Sequence, residues 1–176
     1  VHKWIGQGYS TSTHGIYKQF LDDYVQRILF ENPVVVGFSI YFTNLDTSKY
    51  VAQELKKFNP NIVIVFGGPE CSTLSLKSTP ESLTFTDYMV VGEGEEVFLS
   101  LLDSIENNQK PQNKILGGLY TDRRITLNTL PMPDYSDFDF ALYQRGYGVN
   151  AEISRGCVAK CSYCKETGFW KYRKPA

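Results

Sequence analysis

Ile62-Val63-Ile64-Val65-Phe66 is a continuous apolar run, and Gly67-Gly68-Pro69 follows it directly. A short apolar run bounded by turn residues is typical of a strand buried on both faces, as strands are in parallel sheets. Two further runs have the same character, residues 34–40 (VVVGFSI) and residues 88–91 (YMVV). Together the three runs predict three strands of one parallel sheet.

Amphipathic segments separate these runs. Apolar residues recur at helical spacing in residues 16–29, 51–58 and 97–105, and Asn-Pro pairs follow the first two segments. Residues 70–87 are less regular, and we expect one helix in them after Pro80. The alternation predicts an α/β fold, a Rossmann-like parallel sheet with helices on both faces.

After residue 110 the alternation stops. Residues 115–120 and 125–127 flank a polar Asp-Arg-Arg turn and predict a small hairpin, and a proline-stiffened linker follows at residues 130–135. A last strand is expected at residues 149–154. The chain therefore divides into a Rossmann-like domain (1–110), a hairpin and linker (111–148), and a third segment (149–176).

Composition excludes several classes of protein. The chain has 176 residues, 42% hydrophobic and 21% charged, as is usual for a globular domain with its own core. A net charge of -1 indicates no general attraction to nucleic acid or to an anionic membrane. No apolar run is long enough to span a membrane, and no signal peptide is visible, so we predict a cytoplasmic location. Because the chain begins with Val1 and stops soon after its last cysteine, we expect it to be a fragment of a longer protein.

Three of the four cysteines stand close together, as Cys157, Cys161 and Cys164 in the spacing C-x3-C-x2-C. Thiolates are soft ligands that suit iron–sulfur clusters, zinc or copper(I). A closed zinc site needs a fourth protein ligand, and no further Cys or His lies nearby in the sequence. The remaining cysteine, Cys71, is predicted to be a small buried thiol, with a fourth ligand or redox partner as the alternative.

Glycines and polar residues follow each predicted strand. Ligands of open parallel sheets bind beyond the carboxyl ends of the strands, and glycine lets the backbone approach a ligand closely. The candidate ligand-binding residues at these ends are Ser39, Tyr41, Thr43, Gly67, Gly68, Gly92, Glu93 and Gly94. None of these glycine groups forms a P-loop or a G-x-G-x-x-G motif.

The order of these motifs resembles that of radical S-adenosylmethionine (SAM) enzymes with an N-terminal cobalamin (B12)-binding-type domain. The resemblance covers roughly residues 30 to 170 and implies that the three cysteines hold a 4Fe–4S cluster with one iron open to SAM. It also implies a partial (β/α) barrel, of which only the first strand and the cluster loop would lie in this chain, so that the chain alone is expected to be inactive.

One family motif is missing. The lower-ligand motif D-x-H-x-x-G begins at neither His2 nor His14. Members of the family without it are thought either to bind cobalamin with no protein histidine or to have lost cobalamin, and both outcomes stay open. For the full-length protein the resemblance implies a radical SAM oxidoreductase or methyltransferase, a small-molecule substrate, and an electron donor such as flavodoxin or ferredoxin.

Two other functions compete with this interpretation. The chain could be a non-enzymatic module that binds a cobalamin-type small ligand and has a structural zinc loop. A CheY-like signalling domain fits less well, because no phospho-acceptor Asp stands in a matching position. Iron analysis of the full-length protein separates the enzyme from the binding module.

Overall fold

The structure is a computed structural model that describes residues 11–77, 83–118, 127–136, 139–142, 152, 154–157, 159 and 161–164. The chain forms two compact units, Val1–Leu119 and Tyr120–Ala176. The first unit contains the sheet, and the second contains the cysteines of the C-x3-C-x2-C motif.

The first unit alternates strands and helices. Its strands are β1 (Val35–Ser39), β2 (Val63–Gly67), β3 (Tyr88–Val91) and β4 (Ile115–Gly117). Its helices are α1 (Thr11–Phe30), α2 (Leu45–Phe58), α3 (Pro69–Lys77) and α4 (Glu95–Glu106). All neighbouring strands pair in parallel, in the order β1-β2-β3-β4, which confirms the predicted parallel sheet.

The sheet has a core on each face. On one face Ile64, Phe66 and Met89 pack with buried residues of α1 and α2 and with Cys71 of α3. Val63, Val65, Tyr88 and Val90 point to the other face, where they pack with Leu101 and Ile105 of α4. The helices therefore cover both faces, as predicted. Residues 63–66 of β2 and residues 88–91 of β3 are all apolar because each of them enters one core or the other.

Strand β1 is less buried than its sequence suggests. It lies at the edge of the sheet, and Gly37 and Ser39 are exposed. An edge strand has a neighbour on one side only, so its apolar composition does not ensure full burial.

One sequence prediction is wrong in the first unit, and one segment has a pairing that the sequence did not predict. The helix expected after Pro80 instead begins at Pro69 and ends at Lys77. Proline is favoured at the first position of a helix, and the acidic Glu70 next to it is stabilised by the positive helix end. Ile115 and Leu116, the first arm of the expected hairpin, form an edge strand parallel to β3, because their side chains pack against opposite cores of the sheet.

The second unit has little regular structure in its described residues. Leu127–Thr129 and Phe140–Leu142 are short 3-10 helices. Residues 119–126, which contain most of the second arm of the expected hairpin, lie outside the described residues. The last predicted strand also lies largely outside them, and its described members Glu152 and Ser154 are not in a strand. Within the described part of the chain, no helix combines the length and apolar character needed to cross a membrane.

Candidate functional site

A cavity of about 520 Å³, open to solvent, lies at the carboxyl ends of β1, β2 and β3. Ser39 stands opposite Gly67 in the β1–β2 pairing, and Phe66 stands opposite Met89 in the β2–β3 pairing, so the turns after the three strands lie side by side. Pockets for small molecules and cofactors have volumes of roughly 300–1,000 Å³. The cavity is therefore large enough to hold a small molecule or part of a large cofactor.

The structure brings most of the predicted strand-end residues together. Those that line the cavity are Ser39, Gly67, Gly68, Gly92 and Gly94. Glu93 lies between two lining glycines but is not itself part of the lining. Tyr41 and Thr43 lie on the exposed loop after β1 and are also outside the lining.

Six of the described residues that line the cavity were not predicted from the sequence. They are Gly37, Phe38, Val65, Val90, Glu95 and Phe98. Three of them, Gly37, Val65 and Val90, precede a predicted residue by two positions in the same stretch of chain, and residues two apart in a strand share a face. The two-residue period of a strand would therefore have identified these three residues from the sequence. Phe98 lies one turn into α4, and only the packing of that helix on the sheet brings it to the cavity.

The two glycines after β2 have different roles. Gly68 has φ +93°, and a Cβ there would lie 2.7 Å from the Ile40 nitrogen and 2.9 Å from the Ile40 oxygen. Gly67 would have nothing within 4 Å of its Cβ and lines the cavity. Gly68 therefore allows close backbone packing, whereas Gly67 leaves open space in the cavity.

The loop after β1 is held by the side chain of Asn44. The Tyr41 N–H donates to Asn44 Oδ1 at 2.8 Å, and Asn44 Nδ2 donates to the Ser39 carbonyl at 2.9 Å. The Ile40 N–H donates to the Gly67 carbonyl at 2.7 Å, which continues the β1–β2 pairing past Ser39. These bonds fix the loop beside the cavity, and Tyr41 remains 52% exposed.

The walls of the cavity are mainly apolar. Val65 and Val90 belong to the core on the α4 face, and Phe98 packs against the same core. A carboxylate stands in the lining at Glu95, in the first turn of α4. Apolar walls with a few polar groups are typical of cofactor pockets.

The cysteine loop carries three free thiols. Cys157, Cys161 and Cys164 are each partly exposed and form no disulfide. The Ala159 N–H donates to Cys157 Sγ at 3.4 Å, and the Cys164 N–H donates to the Cys161 carbonyl at 3.1 Å. In the described part of the chain no three His, Cys, Asp or Glu side chains are gathered as a metal site. The donor set fits a thiolate-bound cluster, and metal sites are rarely preformed without their metal.

Cys71 is a core residue, as predicted. It is fully buried on the face of the sheet that is covered by α1, α2 and α3. Burial, with a smaller contribution from the charge of Glu70, raises the pKa of the Cys71 thiol to about 12. A thiol with this pKa is protonated at neutral pH and is a poor ligand and nucleophile.

We expect iodoacetamide to modify Cys157, Cys161 and Cys164 in the metal-free chain and to leave Cys71 unmodified until the chain unfolds. Burial blocks access, and the raised pKa lowers the thiolate fraction roughly a thousandfold. Mass spectrometry of labelled peptides with and without urea measures this. Equal labelling of Cys71 in the native chain would contradict the buried placement.

The same pKa shift affects stability at alkaline pH. Because the folded-state pKa lies above the ordinary value of 9.0, the protonated thiol contributes stability that is fully present below pH 9. That contribution is lost as the pH rises from 9.0 to about 12. A Cys71→Ala variant should lack this alkaline loss.

Comparisons with known proteins assign the part of the chain that forms the cavity to a family. The family described as B12 binding domain matches residues 6–102. The anaerobic magnesium-protoporphyrin IX monomethyl ester cyclase of Synechocystis sp. is 29% identical over 137 residues, which cover 69% of this chain and 27% of that enzyme. An uncharacterized methyltransferase of Pyrococcus horikoshii is 27% identical over 150 residues, covering 77% of this chain and 32% of that protein.

A third relative is more distant. The cytidylyl-2-hydroxyethylphosphonate methyltransferase of Streptomyces wedmorensis is 23% identical over 193 residues, covering 85% of this chain and 36% of that enzyme. No solved structure matches the chain. The chain spans about a quarter to a third of the length of these curated relatives.

Proposed function

Because the chain belongs to the B12-binding domain family, we propose that the cavity at the carboxyl ends of β1, β2 and β3 holds part of a cobalamin, and that the full-length protein is a radical SAM iron–sulfur enzyme. One observation carries the first part of the proposal. Every described residue that lines the cavity lies between Gly37 and Phe98, within the segment that matches the family.

The residues of the cavity suit an extended, partly apolar ligand. Gly67 leaves its side of the cavity open, and Val65, Val90 and Phe98 supply apolar contact. None of the described residues in the lining is a histidine. These residues would therefore contact the ligand through apolar side chains and open backbone.

The cysteine loop carries the second part of the proposal. Cys157, Cys161 and Cys164 would hold a 4Fe–4S cluster, and the fourth iron would be left free for SAM. When bound, these groups supply methyl transfer at cobalamin and one-electron cleavage of SAM at the cluster. The relatives include a cyclase and methyltransferases, which supports an enzymatic role. On this basis the full-length protein would be an oxidoreductase or methyltransferase that acts on a small-molecule substrate. An electron donor of the flavodoxin or ferredoxin type would supply the reducing electron.

A larger side chain at Gly67 should block the cavity. The position has no positive φ and lies at the end of a strand, so valine fits the backbone there. A side chain that occupies space needed by the bound ligand costs about 1–3 kcal/mol, as overpacking of a core does, which corresponds to a fall of roughly 5- to 150-fold in affinity for cobalamin. Equilibrium dialysis of hydroxocobalamin against the full-length protein and its Gly67→Val variant measures this.

A matched control is Gly15→Val. A Cβ at Gly15 also meets nothing within 4 Å, but this glycine lies in α1 and outside the cavity lining. The control should bind cobalamin as the wild type does. Wild-type protein that binds no cobalamin would overturn the proposal, and unchanged binding by Gly67→Val would place the ligand elsewhere.

A further inference from the structure

A buried arginine lies just before the cysteine loop. The Arg155 side chain is 8% exposed, and it forms a bidentate ion pair with Glu152, whose side chain is 48% exposed. Arg155 Nε donates to Glu152 Oε1 at 3.0 Å, and Arg155 Nη2 donates to Glu152 Oε2 at 2.8 Å. Paired bonds of this kind are short, directional and stronger than neutral hydrogen bonds.

The ion pair constrains the backbone that leads into the loop. It joins residues three positions apart, so it restricts the backbone between Glu152 and Arg155. The next residue, Gly156, has φ +103°, a conformation that glycine adopts without strain. Cys157 follows directly, so a single glycine separates the first cysteine of the motif from the ion-paired Arg155.

We propose that Glu152 is a positioning residue for the iron–sulfur cluster, which acts through Arg155 to hold Cys157 ready for the metal. This inference rests on the proposed function of the three cysteines. The effect of Glu152 is transmitted by the Arg155 guanidinium and by the turn at Gly156. Nothing in the C-x3-C-x2-C spacing itself indicates this role.

Groups that orient metal ligands typically change metal affinity by about 10- to 100-fold when they are removed. Lysine cannot replace the arginine, because an ammonium lacks the planar fork that bonds both carboxylate oxygens. We therefore expect Glu152→Gln and Arg155→Lys to weaken cluster retention to a similar degree. Loss of the Glu152 charge should also make the cluster easier to reduce, because net charge near a cluster sets its potential.

The test uses anaerobically reconstituted full-length protein. We expect a chelator to remove iron from Glu152→Gln roughly 10- to 100-fold faster than from wild type. We also expect a more positive midpoint potential in the cluster that remains. Glu106→Gln, the same change at an exposed residue at the end of α4, is the control and should behave as wild type.

A purely structural role would leave the midpoint potential unchanged. The charge-swapped double variant, Glu152→Arg with Arg155→Glu, restores the ion pair and should recover most of the retention of iron. If Glu152→Gln keeps both its iron content and its midpoint potential at wild-type values, the inference about Glu152 is wrong, although the three cysteines would still hold the cluster. If the wild type itself takes up no iron, the proposed function fails first.

Discussion

Replacing any one of Cys157, Cys161 or Cys164 by Ala should remove most of the iron from the anaerobically reconstituted full-length protein. The expected wild-type content is about four irons per chain, as one cluster held by cysteine thiolates. Two thiolates hold the cluster much less firmly than three, because each thiolate bonds one iron directly. Iron and sulfide analysis, with the absorption spectrum, measures the loss.

The matched control is Cys71→Ala. Cys71 is fully buried in the core of the sheet, and burial raises its thiol pKa to about 12, so it should contribute nothing to metal binding. This variant should keep its iron, although loss of the buried side chain lowers stability. Iron lost equally from Cys71→Ala and from the loop variants would contradict the assignment of the ligands.

The same proteins test the activity. With SAM and a reductant, protein that carries all three loop cysteines should release 5'-deoxyadenosine, and the three alanine variants should release none above background. If the reconstituted wild type instead holds one zinc and leaves SAM intact, the radical SAM proposal is wrong. The non-enzymatic binding module with a structural zinc loop then replaces it.

Gly68→Ala should destabilise the first unit severely. The φ of +93° is costly for alanine, and strain of this kind costs about 1–3 kcal/mol. The new Cβ would also lie 2.7 Å from the backbone nitrogen of Ile40, which cannot move aside as a flexible side chain could. Overpacking adds about 1–3 kcal/mol, so the loss is a large part of the 5–15 kcal/mol by which domains are usually stable.

Gly67→Ala is the control for this prediction. Its Cβ meets nothing within 4 Å, so the change in the free energy of unfolding should stay within about 1 kcal/mol of zero. Urea unfolding of this chain, followed by circular dichroism, measures both variants. Equal stability of Gly68→Ala and Gly67→Ala would mean that the Gly68 backbone can relax away from Ile40.

The sequence alone determined the class of fold. The runs that contain Ile64 and Val90 are apolar at every position, which indicates strands covered on both faces, and such strands form parallel sheets. The Pro69 helix was missed because its Ser/Thr-rich sequence has no clear apolar period, so its position depends on the packing of Cys71 and Leu74 against the core.

For the candidate site, the sequence identified the turns and the cysteines but not their roles. The sequence does not distinguish the two glycines. Gly68 is required because its backbone lies close to Ile40, whereas a side chain at Gly67 would enter the open space of the cavity. That distinction depends on the φ angle of Gly68 and on its contact with the loop after β1.

Phe98 reaches the cavity, and Ile115 joins the sheet, only because α4 and β4 pack where they do. The spacing of Cys157, Cys161 and Cys164 is a local property that the sequence determines, whereas the bonding of Arg155 to Glu152 requires side-chain positions that only the tertiary structure decides.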